Sequence, residues 1–162
     1  MMPLTASLEQ LAAATNAAGN KPPHWKYRSV AELVLTEGQA WEPQQLPADA
    51  ADWKGAPNQC YANATQAVLG TQEREALPGA RYVEGFFRDQ VVDGIPFAHA
   101  WCVDAEGRVL ELTLNEPGAE YQGIEISSDL LSETLLQRDT YGVLDNWNNG
   151  FPFLVGGNNA RQ

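Results

Sequence analysis

Phe97-Ala-His-Ala-Trp-Cys-Val103 and Arg108-Val-Leu-Glu-Leu-Thr-Leu114 are two strand-like runs joined by Asp104-Ala-Glu-Gly107. The joint suits a type I turn with Gly107 in the left-handed position, the arrangement of a three-residue hairpin loop. If Asp104 pairs with Arg108, His99 stands opposite Thr113 and Trp101 opposite Glu111. Side chains alternate along strands, so His99, Trp101, Val103, Val109, Glu111 and Thr113 share one face. Ala98, Ala100, Cys102, Leu110, Leu112 and Leu114 share the other, an unbroken apolar set. Glu111 is then a diagonal neighbour of His99, and a slip of one residue in register would separate them.

Working outward, Arg81–Phe87 and a shorter run, Tyr121–Ile126, also read as strands. Helices flank them on both sides. Ser7 with Gln10 predicts a first helix ending near Gly19, and Ser29 with Glu32 a second ending near Gly38. Residues 39–58 read as a loop rich in Pro, Gln and Ala, whose Trp41 and Trp53 either line a cleft or cap the core. Asn58 is a good N-cap for a third helix, roughly Gln59 to Leu69, with Gly70 as its stop. Ser127 and Ser128 open a last helix through Leu130, Leu131, Leu135 and Leu136. After it, Asn146–Gly150 reads as a turn and Phe151–Val155 as an apolar, extended segment. Helices first and strands later predict an α+β fold.

The 162 residues fit one domain at roughly 150 residues per domain. Within it, 1–57 read as N-terminal helices and loop covering the core, 58–126 as a helix plus antiparallel sheet, and 127–162 as a C-terminal helix and tail. With 44% hydrophobic and 19% charged residues the chain can bury a core. Ten Lys and Arg against 21 Asp and Glu give a net charge of −11. No basic cluster is present to neutralise phosphates, which argues against nucleic-acid and anionic-membrane partners. The segment from Met1 to Gly19 has Glu9 in its apolar run and no basic residue before it, so it does not read as a secretory signal. With two cysteines only, a reduced, cytoplasmic protein is expected.

Cys60 falls in the first turn of its helix, where backbone N–H groups and the helix dipole favour a thiolate. A thiolate facing an imidazole that a carboxylate orients is the activated nucleophile of cysteine acyl transfer. The Cys60 N–H would hold the oxyanion together with a side-chain donor from Gln59, Asn58 or Trp53. The competing reading is structural: Glu111 needs a polar partner in an apolar strand, and a His99 hydrogen bond alone would satisfy it. Glu84 reads as an outward-facing strand residue.

Cys60-Tyr-Ala-Asn-Ala, Ala80-Arg-Tyr-Val-Glu-Gly-Phe86, His99-Ala-Trp-Cys-Val and Gly107-Arg-Val-Leu-Glu-Leu-Thr113 occur in this order. Over residues 58–114 the set resembles the transglutaminase-like branch of the papain-like superfamily, and also short bacterial and phage proteins. The resemblance implies Cys60 as nucleophile, His99 as base, Glu111 as the orienting acid where the family usually has Asp, and Trp101 as the buried aromatic beside the site. It implies a papain-like fold, with N-terminal helices packed on an antiparallel sheet, and no cofactor. The activity would be that of a thiol peptidase, deamidase or amidase, or an amide-forming transferase, on a protein or peptide substrate. The alternative is a catalytically silent relative that binds a protein partner.

The remaining signals are weak. Two histidines and two cysteines on separate elements form no metal-ligand pattern. Cys102 is expected to face away from the site, which disfavours a disulfide with Cys60. His24 reads as a packed loop residue. Gly156-Gly-Asn-Asn159 has no following helix, so it reads as a flexible terminus rather than a phosphate loop.

Overall fold

Ser29 and Ser127 start helices through their hydroxyls. Ser29 Oγ accepts the Glu32 N–H at 3.1 Å and opens α2 (Val30–Glu37). Ser127 Oγ accepts the Leu130 N–H at 3.2 Å and opens α4 (Ser128–Gln137). Each bond satisfies a donor that the first turn of a helix otherwise leaves unpaired. The first helix, α1 (Leu4–Ala17), begins earlier than the Ser7 signal suggests. Pro3, at φ −60°, sets the chain's entry, and Ser7 turns its hydroxyl back to the Pro3 carbonyl at 3.4 Å.

The computed structural model describes residues 1–157. It is α+β: helices packed on a five-stranded antiparallel sheet. The strands are β1 (Gln39–Trp41), β2 (Arg81–Arg88), β3 (Pro96–Val103), β4 (Val109–Leu110) and β5 (Glu120–Ile126), in the order β1-β5-β2-β3-β4. The hairpin register is the expected one: Val103 pairs with Val109 and Cys102 with Leu110, while Gly107 sits at φ +79°. The second arm is shorter than expected. After Leu110 the chain bends, because the Thr113 and Leu114 N–H groups turn back onto Glu111 Oε2 at 3.1 and 3.2 Å.

Residues 39–58 are not all loop, since β1 adds a strand to the β5 edge. The chain then crosses to the far edge, where the Val109 N–H meets the Glu42 carbonyl at 2.8 Å. The sheet therefore curls until its outermost strands touch. Its inner face holds a small core of Trp41, Val83, Phe87, Trp101, Val103, Val109 and Tyr121. Trp41 caps this core and donates from Nε1 to the Gly123 carbonyl at 3.2 Å. The outer face carries the larger core, where Tyr82, Phe86, Ala100, Cys102, Ile124 and Ile126 meet the helices.

Three local expectations are corrected. Phe151–Val155 is not extended: Pro152 opens a short helix, α5 (Pro152–Gly156), which buries Phe153 and Leu154. Gly157 follows it, and the rest of the expected flexible terminus, from Asn158 on, lies outside the described residues. His24 is exposed and touches Trp25 edge-on rather than being packed. Glu84 does not face outward. It is 2% exposed under the C-terminal segment, because the Val143 and Leu144 N–H groups bind its carboxylate.

Among the described residues, no helix is long and apolar enough to cross a membrane.

Candidate active site

The third helix, α3 (Cys60–Leu69), starts at Cys60, and its N-cap is Gln59 rather than Asn58. Asn58 instead takes a left-handed conformation at φ +62°, which asparagine tolerates better than most residues. Gln59 supplies no side-chain cap, so the first-turn N–H groups keep their donors unfilled by side chains. Ala64 and Ala67, small and buried, let the helix lie close on β3.

One side chain anchors this helix tip. Asn63 Nδ2 donates to the Ala56 carbonyl at 3.0 Å, to Thr113 Oγ1 at 2.9 Å and to the Leu112 carbonyl at 3.4 Å. Gly55 makes room for it, since a Cβ there would meet Asn63 Oδ1 at 2.0 Å. Its N–H also binds the Leu112 carbonyl at 2.8 Å. The helix tip is thus pinned to the chain just past β4. There β3 has lost its outer ladder partner, and His99 comes within reach.

His99 is 3% exposed and its ring is gripped on several sides. Nε2 lies 2.9 Å from Glu111 Oε1 and 3.1 Å from Oε2. Phe87 meets the ring at 4.8 Å, edge-on, and Trp101 stacks on it at 6.1 Å with planes 22° apart. With Nε2 committed to the carboxylate, Nδ1 is the nitrogen left for the Cys60 thiol. Burial pushes the imidazole pKa down. The hydrogen bonds with Cys60 and Glu111, and the electrostatic pull of both groups, outweigh it and raise the value to about 9. At neutral pH the ring is therefore an imidazolium beside a partly exposed sulfur.

Glu111 is 2% exposed and saturated with donors. Besides His99 it accepts the Tyr121 hydroxyl at 2.7 Å and the Thr113 and Leu114 N–H groups. Burial pushes its pKa up, but the bonds from His99, Tyr121 and Leu114 with the imidazolium charge take it below the usual range. Tyr121 is itself held, accepting the Gly118 N–H at 2.7 Å. A carboxylate so fixed orients the imidazole through one nitrogen and leaves the other for the thiol.

The other sequence-derived candidates divide. Gln59 and Asn58 are exposed immediately before Cys60. Trp53 lies under the Arg74 guanidinium, 3.8 Å from its ring centroid. Trp101 is fully buried against His99, with Nε1 lacking a hydrogen-bond partner. Cys102 points to the outer core, its Sγ 3.4 Å from the Ala64 carbonyl, and burial raises its pKa. Both cysteines are free.

Sequence reasoning missed Tyr121 and Asn63. Tyr121 had no signal beyond being an aromatic in a strand. Asn63, one turn after Cys60, was legible only as a polar residue in an Ala-rich helix.

No family model, curated protein or solved structure matches this chain.

Proposed function

We propose that this protein is a cysteine-dependent acyl-transfer enzyme of papain-like, transglutaminase-like architecture. The observation that carries the proposal is the buried His99–Glu111 pair, 2.9 Å apart, with the Cys60 thiol near enough to raise the imidazole's pKa. Support also comes from the uncapped first turn of α3, which offers backbone N–H groups for a developing oxyanion.

In this mechanism the Cys60 thiolate attacks the carbonyl carbon of an amide and forms an S–C bond. The oxyanion accepts the Cys60 N–H, with Gln59 the exposed side chain nearest in sequence to assist. The imidazolium gives its proton to the departing nitrogen, the C–N bond breaks, and a thioester remains. Neutral His99 then takes a proton from water or from an acceptor amine. That nucleophile displaces the sulfur, and the acid or a new amide leaves. Glu111 stays ionised throughout and stabilises the imidazolium.

The test is intact mass spectrometry after incubation with a broad thiol-directed electrophile, followed by mapping of the modified residue. Stoichiometric modification of Cys60, lost in Cys60→Ser and slowed in His99→Ala, is expected. Modification of Cys102 alone, or of no residue, would favour a silent domain that binds a protein partner.

A further inference from the structure

The acyl-transfer steps leave one buried carboxylate unused. Glu84, midway along β2, accepts the Val143 N–H at 2.8 and 2.9 Å and the Leu144 N–H at 2.9 Å. These two backbone donors, with the Tyr82 hydroxyl beside them, fill only part of a carboxylate's roughly four acceptor positions. Among the described residues no cation pairs with it. Arg138, the nearby guanidinium, is spent on the Gly142 carbonyl at 2.7 Å, Asn148 Oδ1 at 2.9 Å and Asp145 Oδ1 at 3.4 Å. Arg138 thus pairs with Asp145, and the Glu84 carboxylate is left without a cation among the described residues. The other ionisable groups facing Glu84 are the Tyr61 and Tyr82 hydroxyls. Burial, with Asp145's charge adding to it, holds the Glu84 pKa at about 7 despite the backbone bonds.

Beside this carboxylate lies a cavity of about 90 Å³. Phe86, Ala98 and Leu144 give it apolar walls, and Glu84 and Asp145 are its charged lining groups. Its position follows from three other facts. Tyr61, in the lining, follows Cys60; Ala98 precedes His99; and Gly85, also in the lining, is the register partner of His99. The Tyr61 hydroxyl, in this lining, feels both Glu84 and Cys60, which puts the cavity near the thiol. Whole-ligand pockets run to about 300–1,000 Å³, so this one has room for a single side chain.

We propose that the cavity receives one side chain of the acyl substrate, beside the carbonyl that Cys60 attacks, and that Glu84 with Asp145 selects a lysine-like chain ending in an ammonium. The assignment rests on Cys60 being the nucleophile. A thin alkyl stem suits the apolar walls, and a compact ammonium completes the acceptor positions that the backbone leaves open.

The experiment compares acyl-lysyl and acyl-norleucyl chloromethyl ketones, which share a four-carbon stem and differ in the ammonium. The lysyl reagent is expected to alkylate Cys60 at least roughly tenfold faster, as a charge-assisted hydrogen bond implies. The preference should vanish in Glu84→Gln and shrink in Asp145→Asn, which leaves the buried carboxylate's backbone bonds in place. Independently, butylammonium added to Cys60→Ser protein should shift the Val143 and Leu144 amide resonances, and butanol should not. Equal alkylation of Cys60 by both reagents overturns the cation preference and leaves the nucleophile standing. Butylammonium shifts without alkylation by either reagent support the pocket and remove the enzyme assignment. Absence of both the shifts and the preference overturns the pocket.

Discussion

Replacing Glu111 by Gln removes one charge and one acceptor oxygen from a group that has no acceptor to spare. Four donors converge there: His99 Nε2, the Tyr121 hydroxyl, and the Thr113 and Leu114 N–H groups. The glutamine oxygen keeps the two backbone donors if it takes the Oε2 position, which leaves its NH₂ facing His99 and Tyr121. His99 can then meet the NH₂ only by accepting at Nε2, which moves its proton to Nδ1 on the thiol side and leaves the ring neutral. A neutral ring of that tautomer cannot take the thiol proton. Catalysis should fall by about 10⁴-fold, against about 10⁶-fold on removing Cys60 or His99.

Stability should drop by about 3 kcal/mol at pH 6, from one or two buried donors left unsatisfied. That is a melting shift of about 6–12 °C for a domain of this size. The sign with pH is set by His99, whose pKa rises from 6.5 to about 9 on folding. The ion pair's contribution is complete below pH 6.5 and fades as pH rises through 9, so the gap between the two proteins should narrow over that window. The assay is iodoacetamide alkylation of Cys60 from pH 5 to 10, with circular dichroism at each pH. Glu111→Gln should react roughly tenfold more slowly at pH 6 and converge on the natural protein at the alkaline end. A folded Glu111→Gln protein with an unaltered pH profile would refute the orienting role. Glu111→Asp, with its carboxylate one methylene back, should fall between the two.

Cys60→Ser should abolish thioester formation while the melting temperature stays within about 2 °C, since a surface-accessible sulfur is exchanged for oxygen. Glu84 has a folded pKa of about 7 against its ordinary 4.5. Its contribution to stability is therefore greatest below pH 4.5 and is lost as pH rises through 7, by roughly 3 kcal/mol in all. Glu84→Gln should flatten that part of a melting-temperature profile, and an unchanged slope would contradict it. Gly123→Ala would set a Cβ 2.6 Å from the Glu84 carbonyl and 2.7 Å from the Trp101 ring. Overpacking of this kind costs about 1–3 kcal/mol and, by moving Trp101 off His99, should also slow Cys60 alkylation. Stable protein with unchanged labelling would show that the ring stack does not hold the imidazole.

The pairing of His99 with Glu111 was legible because it follows from a short loop and the twofold alternation of strands. Gly107 supplies the positive φ that the loop requires, and the register then puts both side chains on one face. The starts of α2 and α4 were legible for a similar reason, each depending on one serine and the next turn. The same rules misread Phe151–Val155, where a single proline opens a helix, and Asn58, which turns left-handed before Cys60 instead of capping it. Alternation also could not orient Glu84, because both faces of β2 are buried. Tyr82 and Phe86 point to the helices, and Val83 and Phe87 to the sheet interior.

Strand alternation, turn chemistry and helix capping act over a few covalent bonds, so the chain's own order suffices for the hairpin, the capped helices and the α+β class. Long-range packing chose the neighbours. β5 inserts between β1 and β2, which brings Tyr121 to Glu111. Asn63 ties α3 to residues 112 and 113, which brings Cys60 to an imidazole 39 positions later in the chain. No local rule encodes such meetings, because they depend on which apolar surfaces the whole chain buries together.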